Sequence, residues 1–538
     1  MPARSATPEA YDAGPLIPYP QSLVQSRTSK ETEQSSMATL SLAAILAENA
    51  RRRPDKTALV EGDLRLTFAE VWRSARAQAG ALVGLGVRPG DRVALMAPNT
   101  AEFPAAYYAI AAAGGVVVPV HLLLSAAEVE HVLKDSGASL LLCHPAQATT
   151  GTEAAREAGE PVVTLGAEFE TLAADAEPLP SYVTRQADDP AVVFYTSGTT
   201  GVPKGAVLSH FNLVMNATVN AFDANDIRPD DIALGALPLF HAFGQTVSMN
   251  SVWRAGATLV LLPRFDAARA IELMVKEDVN TFHGVPTMYV ALAAAAAAAD
   301  TLPALRVCHS GGASLPVAVL ERFEAAFGTR IYEGYGLSET SPTATVNQPL
   351  FGTRAGTIGH PLWGVDVEIA RAETEERIEL LPPGELGEVV VRGHNVFSGY
   401  LGRPEATAEA MVDGWFRTGD LGTKDEDGFL RIVDRKKDII IRGGYNVYPR
   451  EVEEVLMRHP GVAQVAVIGL PDELHGEEVC AVVVRAPGAT ADGPEITEWS
   501  KEHLGRHKYP RRVEFADEMP LGPSMKVLKR ELRTRYGG

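Results

Sequence analysis

The chain has few cysteines, no long apolar run and a deficit of positive charge, and each absence removes a class of protein. Cys143, Cys308 and Cys480 are scattered without metal-ligand spacing. That excludes a disulfide scaffold and suits a reducing compartment, so a cytoplasmic location is expected. No apolar stretch is long and uninterrupted enough to cross a bilayer, so no integral membrane segment is expected. Residues 1–36 are rich in Ser, Thr, Pro and Ala but lack the basic start and apolar core of a secretory signal. They read as a disordered extension. The net charge is −19, from 49 basic and 68 acidic residues, which disfavours nucleic acid as a partner. The deficit is uneven: residues 434–538 carry 17 basic and 17 acidic side chains, so all of the excess lies before Asp434.

What the chain does have is alternation. At 538 residues it is too long for one hydrophobic core. Short apolar runs at 92–97, 115–120, 139–144, 191–196, 258–262 and 305–310 read as strands. Helical patterns at 102–113 and 126–134 fall between them, which indicates α/β architecture with largely parallel sheet. Runs at 365–369 and 387–392 with dense turns suggest a β-rich subdomain. Past Asp434 the pattern is strand, helix, strand, strand (439–441, 450–457, 464–469, 478–484), as in a small α+β domain. The charged segment 434–438 lies between two apolar runs and marks the boundary. Three parts follow: 1–36, a large domain at 37–433, and a small one at 434–538.

The most telling stretch is Tyr195-Thr196-Ser197-Gly198-Thr199-Thr200-Gly201-Val202-Pro203-Lys204-Gly205. Glycines let backbone N–H groups approach an anion, hydroxyls add donors, and Lys204 adds a charge. After an apolar strand, such a loop is a phosphate cradle. It is not the G-x-x-x-x-G-K-[ST] loop that opens a helix, because Pro203 precedes Lys204 and biases Val202 away from helix.

This loop resembles the phosphate loop of the adenylate-forming enzymes: acyl-CoA synthetases, coumarate-CoA ligases, luciferases and peptide-synthetase adenylation domains. Further motifs follow in that superfamily's order: Leu237-Pro238-Leu239-Phe240-His241, Ser310-Gly311-Gly312-Ala313, Tyr335-Gly336-Leu337-Ser338-Glu339-Thr340, Trp415-Phe416-Arg417-Thr418-Gly419-Asp420, Asp434-Arg435-Lys436-Lys437-Asp438, and a late Lys526. The resemblance implies ATP and CoA as co-substrates and Mg²⁺ as cofactor. It implies that Thr196, Ser197, Gly198, Thr199, Thr200, Gly201 and Lys204 hold the β- and γ-phosphates. Glu339 would bind the metal, and Ser338 would donate to the α-phosphate. Gly312, Ala313 and Ser314 would wall the adenine pocket, with Glu333, Gly334 and Gly336 about it and Tyr335 stacked on the base. Asp420 would accept the ribose hydroxyls, with Arg435 nearby. Lys526 would be the mobile lysine of the adenylation step, although Met525 stands where the family usually has Gly. Lys437 would be the pivot of the small domain. Gly443, Gly444 and Arg264 would meet CoA. His241 would sit where acyl pocket and CoA tunnel join, and Gly312, Gly336 and Gly359 would line an acyl channel walled by Phe243, Gln245, Val285 and Trp363.

Leu237 to Gln245 contains no Asp of the kind that holds an amino-acid ammonium in peptide-synthetase domains, which favours a CoA ligase. An apolar, glycine-rich pocket favours a medium- to long-chain fatty acid. A coumarate-type aryl acid is the alternative, and a catalytically idle nucleotide- or acyl-binding protein is the reading from another class. The partners implied are the small-molecule substrates, with a homodimer as a compatible assembly.

Overall fold

Strands whose residues are buried at every position need cover on both faces. Val116–Pro119 and Thr258–Leu261 are of this kind, and each lies inside a parallel sheet with helices packed against it. The computed structural model describes residues 38–196, 203–522 and 526–537. Residues 1–36 and Met525 therefore lie outside the described residues, as do Ser197, Gly198, Thr199, Thr200 and Gly201.

The first sheet has seven strands in the order Gly399–Tyr400, Lys204–Ser209, Pro190–Thr196, Val116–Pro119, Arg92–Met96, Ala138–Cys143, Val162–Thr164. It is parallel except at the end that carries the phosphate-loop strands. The second has nine strands and is centred on the parallel set Thr258–Leu261, Ile232–Gly235, Thr281–Gly284, Val307–Ser310 and Ile331–Gly336. Helices enter with side-chain caps where the sequence supplies them: Thr67 with Glu70, Ser125 with Glu128, and Ser209 with Asn212 form capping boxes. An antiparallel sheet of five strands follows, from Val365–Ala370 to Leu430–Arg435. The last sheet also has five, among them Ile440–Arg442, Val462–Asp472 and Gly476–Arg485, with the helix Pro449–Leu456 against it. The chain is thus a large α/β part with a β-rich subdomain and a small C-terminal α+β part, as the sequence predicts. Residues 436–439 link the last strand of the antiparallel sheet to the first of the C-terminal sheet. The two parts also touch through Glu454, whose Oε1 accepts from the Val317 N–H at 3.0 Å.

Among the described residues no helix is long and apolar enough to cross a membrane.

Candidate active site

The strand ends of both parallel sheets, the antiparallel sheet and the C-terminal part converge on one cavity of 2840 Å³. At one end lie the strands flanking the phosphate loop. Pro190–Thr196 and Lys204–Ser209 form an antiparallel hairpin in which Thr196 and Lys204 are cross-strand partners. The cradle therefore joins two strands rather than a strand and a helix. Glu339 is buried on the short 3₁₀ turn Ser338–Thr340. Its Oε1 accepts from the Tyr400 hydroxyl at 3.0 Å and from the Thr196 hydroxyl at 3.4 Å. The Lys204 ammonium stands 5.3 Å from the centre of the Tyr400 ring.

Asp420 is buried in the strand Trp415–Lys424 and faces Arg435 across the antiparallel ladder. Arg435 Nε donates to one carboxylate oxygen at 3.0 Å, and the Tyr335 hydroxyl donates to the other at 2.7 Å. A carboxylate offers about four acceptor sites, so roughly two remain for a ligand. Lys526 reaches in from the C-terminal part: a Cβ placed on Gly312 would sit 3.4 Å from its Cε. Gly312 also has φ +79°, a left-handed conformation that favours glycine. Burial pushes the Lys526 ammonium down to about 8; the neighbouring Arg435 charge adds to this, and Asp420 and Glu339 oppose it.

Ala313, Ser314, Glu333, Gly334 and Gly336 all line the cavity. Gly336 is required by packing, because a Cβ there would collide with the Pro342 carbonyl. Glu333 is buried; its Oε1 accepts from the Leu315 N–H at 3.0 Å, and Oε2 has no partner among the described residues. Burial raises its pKa to about 7 against the pull of Arg450.

The far end is formed by His241, Phe243, Phe240, Asn220 and Asn225. His241 Nδ1 accepts from the Phe243 N–H at 3.3 Å. Burial, then the charges of Lys526 and His121, push the imidazole down to about 3, so it is neutral near pH 7. Phe243 opens the π-helix Phe243–Asn250, and Asn220 opens a second one, Asn220–Ala224. Such wide turns cluster at functional sites because they redirect side chains that an α-helix would stack. Asn216 Nδ2 donates to the Thr343 carbonyl at 2.8 Å, and Asn220 Nδ2 to Asn216 Oδ1 at 2.9 Å. This chain of asparagines sets Asn220 beside the Gly336–Thr343 wall. Asn225 is 3% exposed and its Nδ2 has no partner among the described residues.

Sequence reasoning missed Asn220, Asn225, His121 and Tyr400. Asn220 opens a π-turn and Asn225 caps it, which leaves no periodic signature, and Tyr400 reaches Glu339 only through the tertiary fold.

Other expected residues lie elsewhere. Arg264 is exposed and outside the cavity. Gly443 and Gly444 occupy the turn between Ile440–Arg442 and Tyr445–Val447, also outside it, and the Gly443 N–H donates to the His475 carbonyl at 2.8 Å. Three expected wall positions are corrected. Trp363 is 67% exposed, and Gln245 is buried against the Leu239 carbonyl. Gly359 serves close packing, since a Cβ there would collide with the Val346 backbone. Val285 lies just behind Gly312, 3.5 Å from where its Cβ would be. Lys437 is exposed at the cavity rim, and the adjacent Asp438 pairs with Arg533 at 2.9 Å.

A cavity with a hydroxyl and lysine hairpin, a buried carboxylate beside it and a lysine delivered by a separate C-terminal part defines a nucleotide-dependent acid-activating enzyme. The chain belongs to the AMP-binding enzyme family, whose model matches residues 46–401, with the AMP-binding enzyme C-terminal domain at 451–526. It is an AMP-forming acid–CoA ligase of the adenylate-forming superfamily, with ATP and CoA as substrates and Mg²⁺ as cofactor. It is 42% identical over 493 residues to a feruloyl-CoA synthase of Amycolatopsis sp., covering 91% of this chain and 97% of that one. It is 35% identical over 529 residues to a long-chain-fatty-acid–CoA ligase of Bacillus subtilis (strain 168), covering 91% and 94%. Among solved structures, ATP-bound MatB from Rhodopseudomonas palustris superposes with a TM-score of 0.83 at 35% identity, over 92% of this chain and 99% of that one.

Proposed function

We propose that the acid is an aryl acid bearing a ring hydroxyl or similar oxygen, joined to CoA through an acyl-adenylate. Two polar side chains on the cavity lining, Asn220 and Asn225, support this reading. A hydrocarbon tail laid against such an amide would leave it unpaired, at about 1–3 kcal/mol, whereas a ring oxygen could meet it. The likeness to a feruloyl-CoA synthase supports the same choice.

In the first step a carboxylate oxygen attacks the α-phosphorus of ATP. The bond to the bridging oxygen breaks and pyrophosphate departs. Lys526 neutralises charge on the carboxylate and the α-phosphate. Thr196 and Lys204, with the loop between them, hold the departing β- and γ-phosphates. Ser338 donates to the α-phosphate. Asp420 takes the ribose diol on its free lone pairs with Arg435 beside it, and Tyr335 stacks on the adenine that Glu333, Gly334 and Gly312–Ser314 enclose. The Glu339 carboxylate and the Thr196 hydroxyl beside it supply hard oxygens suited to Mg²⁺. Glu339 would hold the metal, which when bound neutralises charge on phosphate oxygens. Preorganised charge of this kind is the main source of rate in such transfers.

In the second step the CoA sulfur, having lost its proton, attacks the acyl carbonyl carbon, and AMP leaves with the electron pair. Gly443 and Gly444 lie outside the cavity while Lys526 lies inside, and all three belong to the C-terminal part. This supports a turn of that part about Lys437 between the steps, bringing the glycines to the pantetheine. Arg264 would then meet a CoA phosphate.

A medium- to long-chain fatty acid is the second reading. It is favoured by the apolar wall of Leu124, Ala127 and Val132 and by the likeness to fatty-acid ligases. CoA-dependent AMP release across acetate to palmitate, benzoate, coumarate and ferulate tests both. A maximum at the hydroxylated aryl acids is expected. A maximum at straight-chain acids beyond butyrate would replace the first reading with the second.

A further inference from the structure

Tyr400 stands where three pieces of the phosphate end meet. It lies in the strand Gly399–Tyr400, which pairs antiparallel with Lys204–Ser209 and sets Tyr400 opposite Ala206. The Leu401 N–H donates to the Gly205 carbonyl at 2.8 Å, and the Phe397 N–H donates to the Glu339 carbonyl at 2.9 Å. One short stretch of backbone is therefore fastened to the lysine strand on one side and to the Glu339 turn on the other. The side chain repeats the connection. Its hydroxyl donates to Glu339 Oε1 at 3.0 Å, and its ring carries the Lys204 ammonium 5.3 Å from the centroid. Phe397 braces the ring edge-on at 4.8 Å, and the Tyr400 N–H donates to the Thr407 hydroxyl at 2.9 Å. A phenol can meet a carboxylate only as a donor.

We propose that Tyr400 is a positioning residue for both charges of the phosphate end. Its hydroxyl fixes the rotation of the Glu339 carboxylate, and its ring holds the Lys204 ammonium ready for phosphate. The two functions are chemically separable, because phenylalanine keeps the ring and loses the donor. The proposal rests on the assignment of Lys204 to phosphate and Glu339 to Mg²⁺ made above.

The test uses the full chain as Tyr400→Phe, Tyr400→Leu and Glu339→Gln. ATP affinity is measured by calorimetry in EDTA, and the Mg²⁺ dependence of acyl-adenylate formation is measured separately. Tyr400→Phe should bind ATP in EDTA within about twofold of the parent, while half-maximal rate needs about tenfold more Mg²⁺, the scale of one lost hydrogen bond to a charge. Tyr400→Leu should show the same Mg²⁺ defect and also bind ATP in EDTA about two- to fivefold more weakly, as loss of a cation–π contact requires. An unchanged Mg²⁺ dependence in Tyr400→Phe, or equal weakening of metal-free ATP binding in both tyrosine variants, would overturn the proposal. Glu339→Gln keeps the two failures apart. If it leaves the Mg²⁺ dependence unchanged, the metal assignment fails, while the comparison of the tyrosine variants in EDTA still decides the role of the ring.

Discussion

At the phosphate end of the cavity the polar groups meet partners that folding has already supplied; at the acid end some do not. Glu339 has two hydroxyls, Asp420 has Tyr335 and Arg435, and Lys204 has the face of Tyr400. Asn220 and Asn225 line the acid end, and Asn225 Nδ2 has no hydrogen-bond partner among the described residues. The first arrangement is preorganised, as chemistry on a fixed set of phosphates requires. The second is completed only by its ligand, which is how a site discriminates between acids.

The largest expected effect falls at the point that joins the two ends. Lys526→Ala should lower acyl-adenylate formation by about a thousandfold or more, the scale of losing a charge aimed at the reacting phosphate. Thioester formation from supplied acyl-adenylate should survive, and equal loss of both steps would remove the lysine from its role. A second test reads the same charge through pH. Burial holds the Lys526 ammonium near 8, below an ordinary lysine, so the charge is present below that pH and lost above it. The kcat/KM of adenylation should therefore fall about fivefold between pH 8 and pH 9, whereas a lysine with an ordinary pKa would give a nearly flat profile there. At the acid end, Asn225→Leu should raise KM for hydroxylated aryl acids by about five- to tenfold and leave KM for ATP unchanged. A change in the ATP parameter instead would erase the distinction between the two ends. The smallest effect is expected at Trp363, which is exposed and outside the cavity. Trp363→Ala should leave the acid profile as it was; a shift in chain length or ring preference would put the residue back in the pocket wall.

The same division governs what could be read from the chain. The phosphate end is built from contiguous motifs, so Thr196, Lys204, Glu339, Tyr335, Asp420, Arg435 and Lys526 are legible in the sequence, and all of them line one cavity. The strand runs were legible too: 92–97 became Arg92–Met96, and 191–196 became Pro190–Thr196. The acid end resisted. Asn220 and Asn225 come from a π-helical turn that hydrophobic periodicity does not register. Gly359, expected at a channel, is there to let two backbones touch, and a glycine alone does not say which of these it does. Trp363, expected in the channel wall, stands on the surface, where a large aromatic is also tolerated.

The pairing of Asp420 with Arg435 has a consequence for the order of events. Arg435 is the last residue of its strand, and the proposed pivot begins two residues later. Everything assigned to the nucleoside thus lies upstream of the part that would move. A reactive mixed anhydride would stay gripped by its AMP half while its surroundings are exchanged. Loss of the intermediate to water would then depend on how long the exchange takes, rather than on how tightly the acid is bound.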